Sequence, residues 1–150
     1  MMTRKEQAMQ NFYEGYNCTQ AVVLAFSDLI PLEKESLLAM VSPLGGGMGR
    51  LREVCGSVSG MFLVLGALQG YSDPKTKEQK AQLYAKVQKL ASEFEKRNGS
   101  IVCRELLGLK EKKQDPTPQE RTPEYYKKRP CPELIGMAAE ILEEFLKENS

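Results

Sequence analysis

Apolar residues recur along this chain at helical spacing, and no stretch shows the alternation of a half-buried strand or the turn of a hairpin. Ala8, Met9, Phe12 and Tyr13 mark one face of a helix over residues 3 to 15, and Gly15-Tyr16-Asn17 breaks the chain after it. A second helix begins at Cys18 with Asn17 as its N-cap and carries Val22, Val23, Leu24, Phe26 and Leu29. Pro31 opens a shorter helix whose apolar positions Leu37, Leu38, Met40 and Val41 end at Ser42-Pro43. A glycine-rich turn then feeds an apolar helix from Cys55 to Leu68. Asp73-Pro74 signals the start of a long amphipathic helix that ends at Asn98-Gly99, with Ala81, Tyr84, Val87, Leu90, Ala91 and Phe94 toward the core. Residues 110 to 130 are polar and contain Pro116, Pro118, Pro123 and Pro130, which predicts a long connection without helix or strand. The last helix runs from Pro132 to about Lys147. The pattern predicts an all-α fold, a compact bundle of five to seven helices forming a single helical domain over residues 1 to 150.

The central helix has an unusual composition. Gly56 and Gly60 share a face with Ser59 nearby, and Gly66 and Gly70 follow. Each interior glycine weakens a helix by about 1 kcal/mol relative to alanine, so such a helix persists only where neighbours pack closely around it. The small residues place those neighbours at the Cys55 end.

Charge and absences narrow the function classes. The 150 residues include 21 Lys+Arg and 20 Asp+Glu, a net charge of +1, so no field favours nucleic acid or an anionic membrane. The start of the chain, Met1-Met2-Thr3-Arg4-Lys5-Glu6-Gln7, lacks the apolar core of a signal peptide, and Val54 to Leu68 is too short and glycine-rich for a membrane span. The expected location is cytoplasmic, where thiols are kept reduced and cysteines serve transient redox chemistry or metal ligation. Histidine is absent, which removes mixed Cys/His zinc sites, Cys-His dyads and histidine-held haem.

The candidate chemistry lies in Cys18, Cys55, Cys103 and Cys131, each predicted at or just inside the start of a helix. Asn17 caps the helix of Cys18, Pro132 places Cys131 at an N-cap, Ser100 caps a helix with Cys103 in its first turn, and Cys55 follows the glycine turn. Unpaired N–H groups and the helix dipole favour a thiolate there. A buried cysteine is more often a small hydrophobe, but four at similar positions favour redox or metal chemistry. No CxxC exists and no two of the four lie closer than 28 positions, so they meet only through the tertiary fold. They would build either exchanging disulfides or an all-cysteine metal or iron–sulfur site. Arg50 and Arg52 lie near Cys55 and Glu53 opposes them; this balance predicts Cys55 as the most reactive thiol. Gly45-Gly46-Gly47-Met48-Gly49-Arg50 lacks both the Gly-Lys-Ser/Thr ending of a P-loop and the GxGxxG spacing of a dinucleotide turn, and reads first as a structural turn, second as an anion nest. Tyr13, Tyr16, Tyr125 and Tyr126 read as packing.

At Cys55-Gly56-Ser57-Val58-Ser59-Gly60, with Gly-Gly-Gly-Met-Gly upstream and single cysteines once before and twice after, the chain resembles the bacterial and archaeal C-GCAxxG-C-C family of redox-active proteins. The likeness runs from Gly15-Tyr16-Asn17-Cys18 to Cys131 and departs at Ser57, where the CGAxxG motif has alanine. The resemblance implies electron or thiol transfer without defining a substrate. Members are often encoded near transporter genes, and similar domains occur beside electron-transfer modules where iron–sulfur ligation has been considered. Three functions are therefore carried forward. The first is thiol–disulfide exchange or electron transfer by thiols clustered at helix N-termini, most simply pairing Cys55 with one of the others. The second is a [2Fe–2S] cluster, or less readily zinc, held by Cys18, Cys55, Cys103 and Cys131. The third is a non-catalytic helical interaction protein associated with a transporter, using the Gly56/Gly60 face and the 110 to 130 connection. The expected partner is a redox partner or a transporter-associated protein, with a homo-oligomer left open.

Overall fold

In the computed structural model, which describes residues 2–110 and 113–148, side-chain caps mark the starts of four of the eight helices described below. Helix α1, Arg4–Tyr13, begins with a capping box: the Thr3 hydroxyl accepts from the Glu6 N–H and the Glu6 carboxylate accepts from the Thr3 N–H. Helix α2, Cys18–Ala25, repeats the device with Asn17 and Gln20. Helix α3 spans Lys34–Val41 and α4 spans Gly56–Gln69. Helix α5, Lys77–Asn98, ends on Gly99 in the left-handed conformation. Helices α6, Cys103–Leu106, and α7, Pro123–Lys128, are short, and α8 covers Cys131–Glu148. The fold is all-α; among the described residues the only extended pairing is an isolated antiparallel bridge, Val54 with Val102.

The core forms where α2 packs between α1 and α4 while α8 and α5 close the other sides. Phe12 of α1, Met61 and Leu65 of α4, Phe94 of α5, and Ile135 and Leu142 of α8 are fully or almost fully buried there, with Phe26 at the end of α2. Burying each such side chain contributes about 1.5–3 kcal/mol. No helix among the described residues is long and apolar enough to cross a membrane.

Four expectations are corrected. The third helix starts at Lys34, because Pro31 and Leu32 remain exposed ahead of it. Asp73 caps only a turn, accepting from the Lys75 N–H, and Thr76 caps α5 three residues later. Ala81 and Tyr84 do not face the core: Tyr84 meets Tyr71 beyond the end of α4, where no further layer covers it, and burial on α5 is confined to Leu90 and Phe94. The proline-rich connection contains α7, with the Thr122 hydroxyl capping Tyr125 N–H and Pro123 in the first turn, a position that suits proline's fixed φ.

The glycines of α4 divide into two kinds. A Cβ on Gly56 would lie 2.8 Å from Thr19 Oγ1, and one on Gly60 would lie 2.8 Å from Val22 Cβ, so both admit α2 at close range. Gly66 has nothing within 4 Å of the same position, so the close neighbours stand at the Cys55 end, as expected. Gly60→Ala is therefore expected to destabilise by about 1–3 kcal/mol through overpacking. Gly66→Ala is expected to stabilise by up to about 1 kcal/mol through helix propensity. Urea unfolding of the two variants checks the pair; equal effects would contradict the assigned α2–α4 contact.

Candidate functional site

The four predicted cysteines line one cavity of about 380 Å³. Cys18 is the first residue of α2, Cys55 caps α4, Cys103 is the first residue of α6, and Cys131 is the first residue of α8 rather than its N-cap. All four are free thiols. The Val54–Val102 bridge positions two of them: Cys55 N–H donates to Ile101 C=O at 2.8 Å and Cys103 N–H to Glu53 C=O at 2.6 Å. Side chains alternate across such a pairing, so Cys55 and Cys103 occupy diagonal positions on one face of it. Glycines make room for the other contacts. A Cβ on Gly56 would be 2.9 Å from Cys18 Cβ, and one on Gly47 would be 2.7 Å from Cys103 Cβ.

The glycine-rich segment is a turn of the left hand. Residues 46 to 50 all have positive φ, between 65° and 71°, and Gly49 N–H closes the turn on Gly45 C=O at 2.9 Å. Met48 and Arg50 each cost roughly 1–2 kcal/mol in this conformation. The N–H groups of Gly49, Leu51 and Glu53 are committed to the carbonyls of Gly45, Met48 and Gly47, as in a structural turn. Its product is the placement of two cations. Arg50 Nε donates to Asp115 C=O at 2.6 Å, and Arg52 Nε donates to Gln114 Oε1 at 2.9 Å. Arg52, only 6% exposed and itself at positive φ, turns Nη1 toward Cys103 Sγ at 3.5 Å.

Two further guanidiniums come from the proline-rich connection and carried no local motif in the sequence. Arg121 donates to the main-chain carbonyls of Phe12 and Tyr16 and lies over the Phe12 ring, 3.9 Å from its centroid. Arg129 donates to Gln119 Oε1 at 2.6 Å and lies over Tyr125. Arg50, Arg52, Arg121 and Arg129 all line the cavity, and among the described residues no Asp or Glu does. The tyrosines expected to pack do so: Tyr126 contacts the rings of Phe12, Tyr13 and Tyr125.

The thiols respond differently to similar helix starts. Cys131 is held at about 7, because the Cys18 thiol hydrogen-bonds to its sulfur and Arg129, Arg52 and Arg121 add positive charge, together outweighing burial. The same hydrogen bond, with burial, pushes Cys18 well above the usual thiol range. Burial pushes Cys55 up to about 11 against the opposing pull of the Ser57 hydroxyl and N–H, and burial also raises Cys103 despite its Arg52 contact. The expected reactivity of Cys55 is thus corrected: Arg52 serves Cys103, Arg50 is tied to residues 114 and 115, Glu53 pairs with Arg104, and no cation offsets the burial of Cys55. Among the described residues no group of three or more His, Cys, Asp or Glu is arranged to hold a metal ion. The four cysteines thus line one cavity without forming a four-cysteine iron–sulfur or zinc site among the described residues, and Arg52 contacts the Cys103 sulfur.

A family model described as "Putative redox-active protein (C_GCAxxG_C_C)" matches residues 16–145. The comparisons with curated proteins and with solved structures found no match.

These assignments order the thiols by reactivity. In a pH series of alkylation mapped by mass spectrometry, Cys131 should react first, with an apparent pKa of about 7, and Cys55 should require a pH near its value of about 11. Cys18→Ala should move the Cys131 midpoint upward toward that of a free thiol, about 8.5. A midpoint unchanged in that variant would contradict the hydrogen bond as the main cause.

Proposed function

The chain belongs to the C-GCAxxG-C-C family of redox-active proteins, and from that premise we propose that it is a thiol–disulfide exchange protein in which Cys131 attacks and Cys18 resolves. The observation that carries this reading is that Cys18 and Cys131 open two packed helices, α2 and α8, onto one cavity lined also by the exposed residues Pro116, Pro118 and Gln119, where each thiol shifts the other in the opposite direction.

The chemistry follows from the placement. Cys131 as thiolate attacks one sulfur of a small disulfide, forming a mixed disulfide and releasing the other half as thiolate, which takes up a proton. Cys18 then attacks the Cys131 sulfur, its proton passing to the second leaving thiolate. The result is a Cys18–Cys131 disulfide and two free substrate thiols: the protein pair is oxidised by two electrons and the substrate disulfide is reduced. A thiol pKa near ambient pH is the optimum for an attacking sulfur, since a lower value sacrifices nucleophilicity. Cys55 and Cys103 stay protonated near neutrality and take no part in this first exchange.

Treatment of the reduced protein with 2-hydroxyethyl disulfide tests the assignment. The wild type should lose the mass of two hydrogens and yield a peptide pair linked through Cys18 and Cys131. The Cys18→Ser variant should stop at a mixed disulfide on Cys131, and Cys131→Ser should slow oxidation by at least about tenfold. A disulfide between another pair, or no intramolecular disulfide, would overturn the reading.

A further inference from the structure

We infer that the substrate of this dithiol is a small disulfide bearing carboxylate groups, bound by Arg50, Arg52, Arg121 and Arg129. This rests on the exchange reading and adds what the cavity selects. Four guanidiniums line a space that no carboxylate side chain of the described residues lines. The ion pairs among the described residues use Arg4, Lys5, Arg97 and Arg104 instead. Neutral acceptors hold the four in place: Arg50 by the Asp115 carbonyl, Arg52 by the Gln114 amide, Arg121 by the Phe12 and Tyr16 carbonyls, and Arg129 by the Gln119 amide. Such acceptors orient a cation without cancelling its charge, and among the described residues only Arg50 has a carboxylate near it in addition, that of exposed Asp115 outside the cavity lining.

Bringing these charges together is unfavourable in the empty site. Burial, with Arg52 and Arg129 nearby, lowers the pKa of Arg50. Arg52 is 6% exposed, and beyond its bonds to Gln114 and Cys103 its remaining N–H groups have no acceptor among the described residues. Buried charges are ordinarily paired. The Cys131 thiolate supplies one negative charge against four positive ones, which leaves donors for an incoming anion. Guanidinium recognises carboxylate through paired parallel N–H bonds. The volume of about 380 Å³ suits one arm of a small disulfide rather than a loop of a folded protein, and Leu106, Leu107 and Tyr125 provide apolar wall for an aliphatic stem.

Oxidation rates with three probes test the inference: anionic glutathione disulfide, neutral 2-hydroxyethyl disulfide and cationic cystamine, each divided by its rate with a small reference thiol. Glutathione disulfide should be favoured over the neutral probe by on the order of tenfold at low salt, and cystamine disfavoured, with the preference shrinking as salt rises. In the Arg121→Gln/Arg129→Gln variant the ratio of anionic to neutral rates should fall toward one; the reactivity of the sulfur cancels in that ratio. Calorimetry of the Cys131→Ser variant, which cannot begin the exchange, gives a readout independent of redox: glutathione disulfide should bind one to one with salt-sensitive affinity, and cystamine should not bind. Equal normalised rates for the three probes, or no binding of glutathione disulfide in calorimetry, would overturn the anionic substrate and leave the exchange chemistry standing. Binding of glutathione disulfide without oxidation of the wild type would sustain the anion site and overturn the exchange chemistry instead.

Discussion

The close approach of α2 to α4 is the constraint on which the cavity depends. Thr19 and Val22 press against the positions where Gly56 and Gly60 lack a Cβ, and the Thr19 hydroxyl donates to Gly56 C=O at 3.0 Å. The contact anchors one end of α2 beside the start of α4, and so carries Cys18 to the same wall as Cys55. It also aligns the rest of the bundle. With α2 fixed, α1 and α8 pack on its other sides, and the first residue of α8 delivers Cys131 to Cys18. The glycines therefore act through backbone geometry, several residues away from the sulfur chemistry they make possible.

Within that frame the thiols reveal which electrostatic effect wins. All four stand at helix starts, where the dipole contributes about 0.3–1 kcal/mol, and up to about 2 in partly buried geometries. Full burial can move an ionisable group by several pKa units, each worth about 1.4 kcal/mol. Position at a helix start is therefore too weak to decide reactivity alone. Burial dominates at Cys55 and Cys103, whereas Cys131 has a directed S–H donor and three guanidiniums. Hydrogen bonding separates two otherwise similar sulfurs, Cys18 and Cys131, into a raised and a lowered member of one pair.

The distinction explains what could be read from the sequence. Helices with strong capping residues were legible: Asn17 at α2 and Gly99 after α5 act where expected. So was the tight packing at Gly56 and Gly60, since only close neighbours justify two interior glycines in an apolar helix. The placement of cysteines at helix starts was legible too, but not every cause of it: Ser100 accepts from the Val102 N–H and does not cap α6, whose N-cap Val102 is held by its bridge to Val54. The choice of reactive thiol was not legible. Arg52 is three positions from Cys55 in sequence, yet a run of left-handed residues turns its guanidinium to Cys103. Arg121 and Arg129 lie in a polar, proline-rich segment with no periodicity to announce a role in the cavity, and the partners of Arg121, Phe12 and Tyr16, are over 100 residues away from it. Contacts set by tertiary structure over such separations leave no local pattern.

The glycine-rich turn and the proline-rich connection hold each other, and this completes the cationic wall. Gln114 N–H donates to Arg50 C=O at 3.1 Å, while its amide oxygen accepts from both Arg50 and Arg52. A single residue of the connection thus fixes the main chain of the turn and both of its guanidiniums. Neither segment contributes a fully buried large apolar side chain, so polar contacts carry their mutual order. Polar contacts of this kind are each worth only about 0.5–1.5 kcal/mol net, less than burial of one large core side chain. The strain at Met48 and Arg50 and the repulsion among the arginines oppose them. The core, by contrast, takes only the half-buried Tyr125 and Tyr126 from the described residues of these segments. In the proposed reading, an anion among the guanidiniums relieves the repulsion and adds bonds where the wall is weakest. Stability of this half of the cavity and occupancy by substrate are then linked, because a ligand favours the state that binds it.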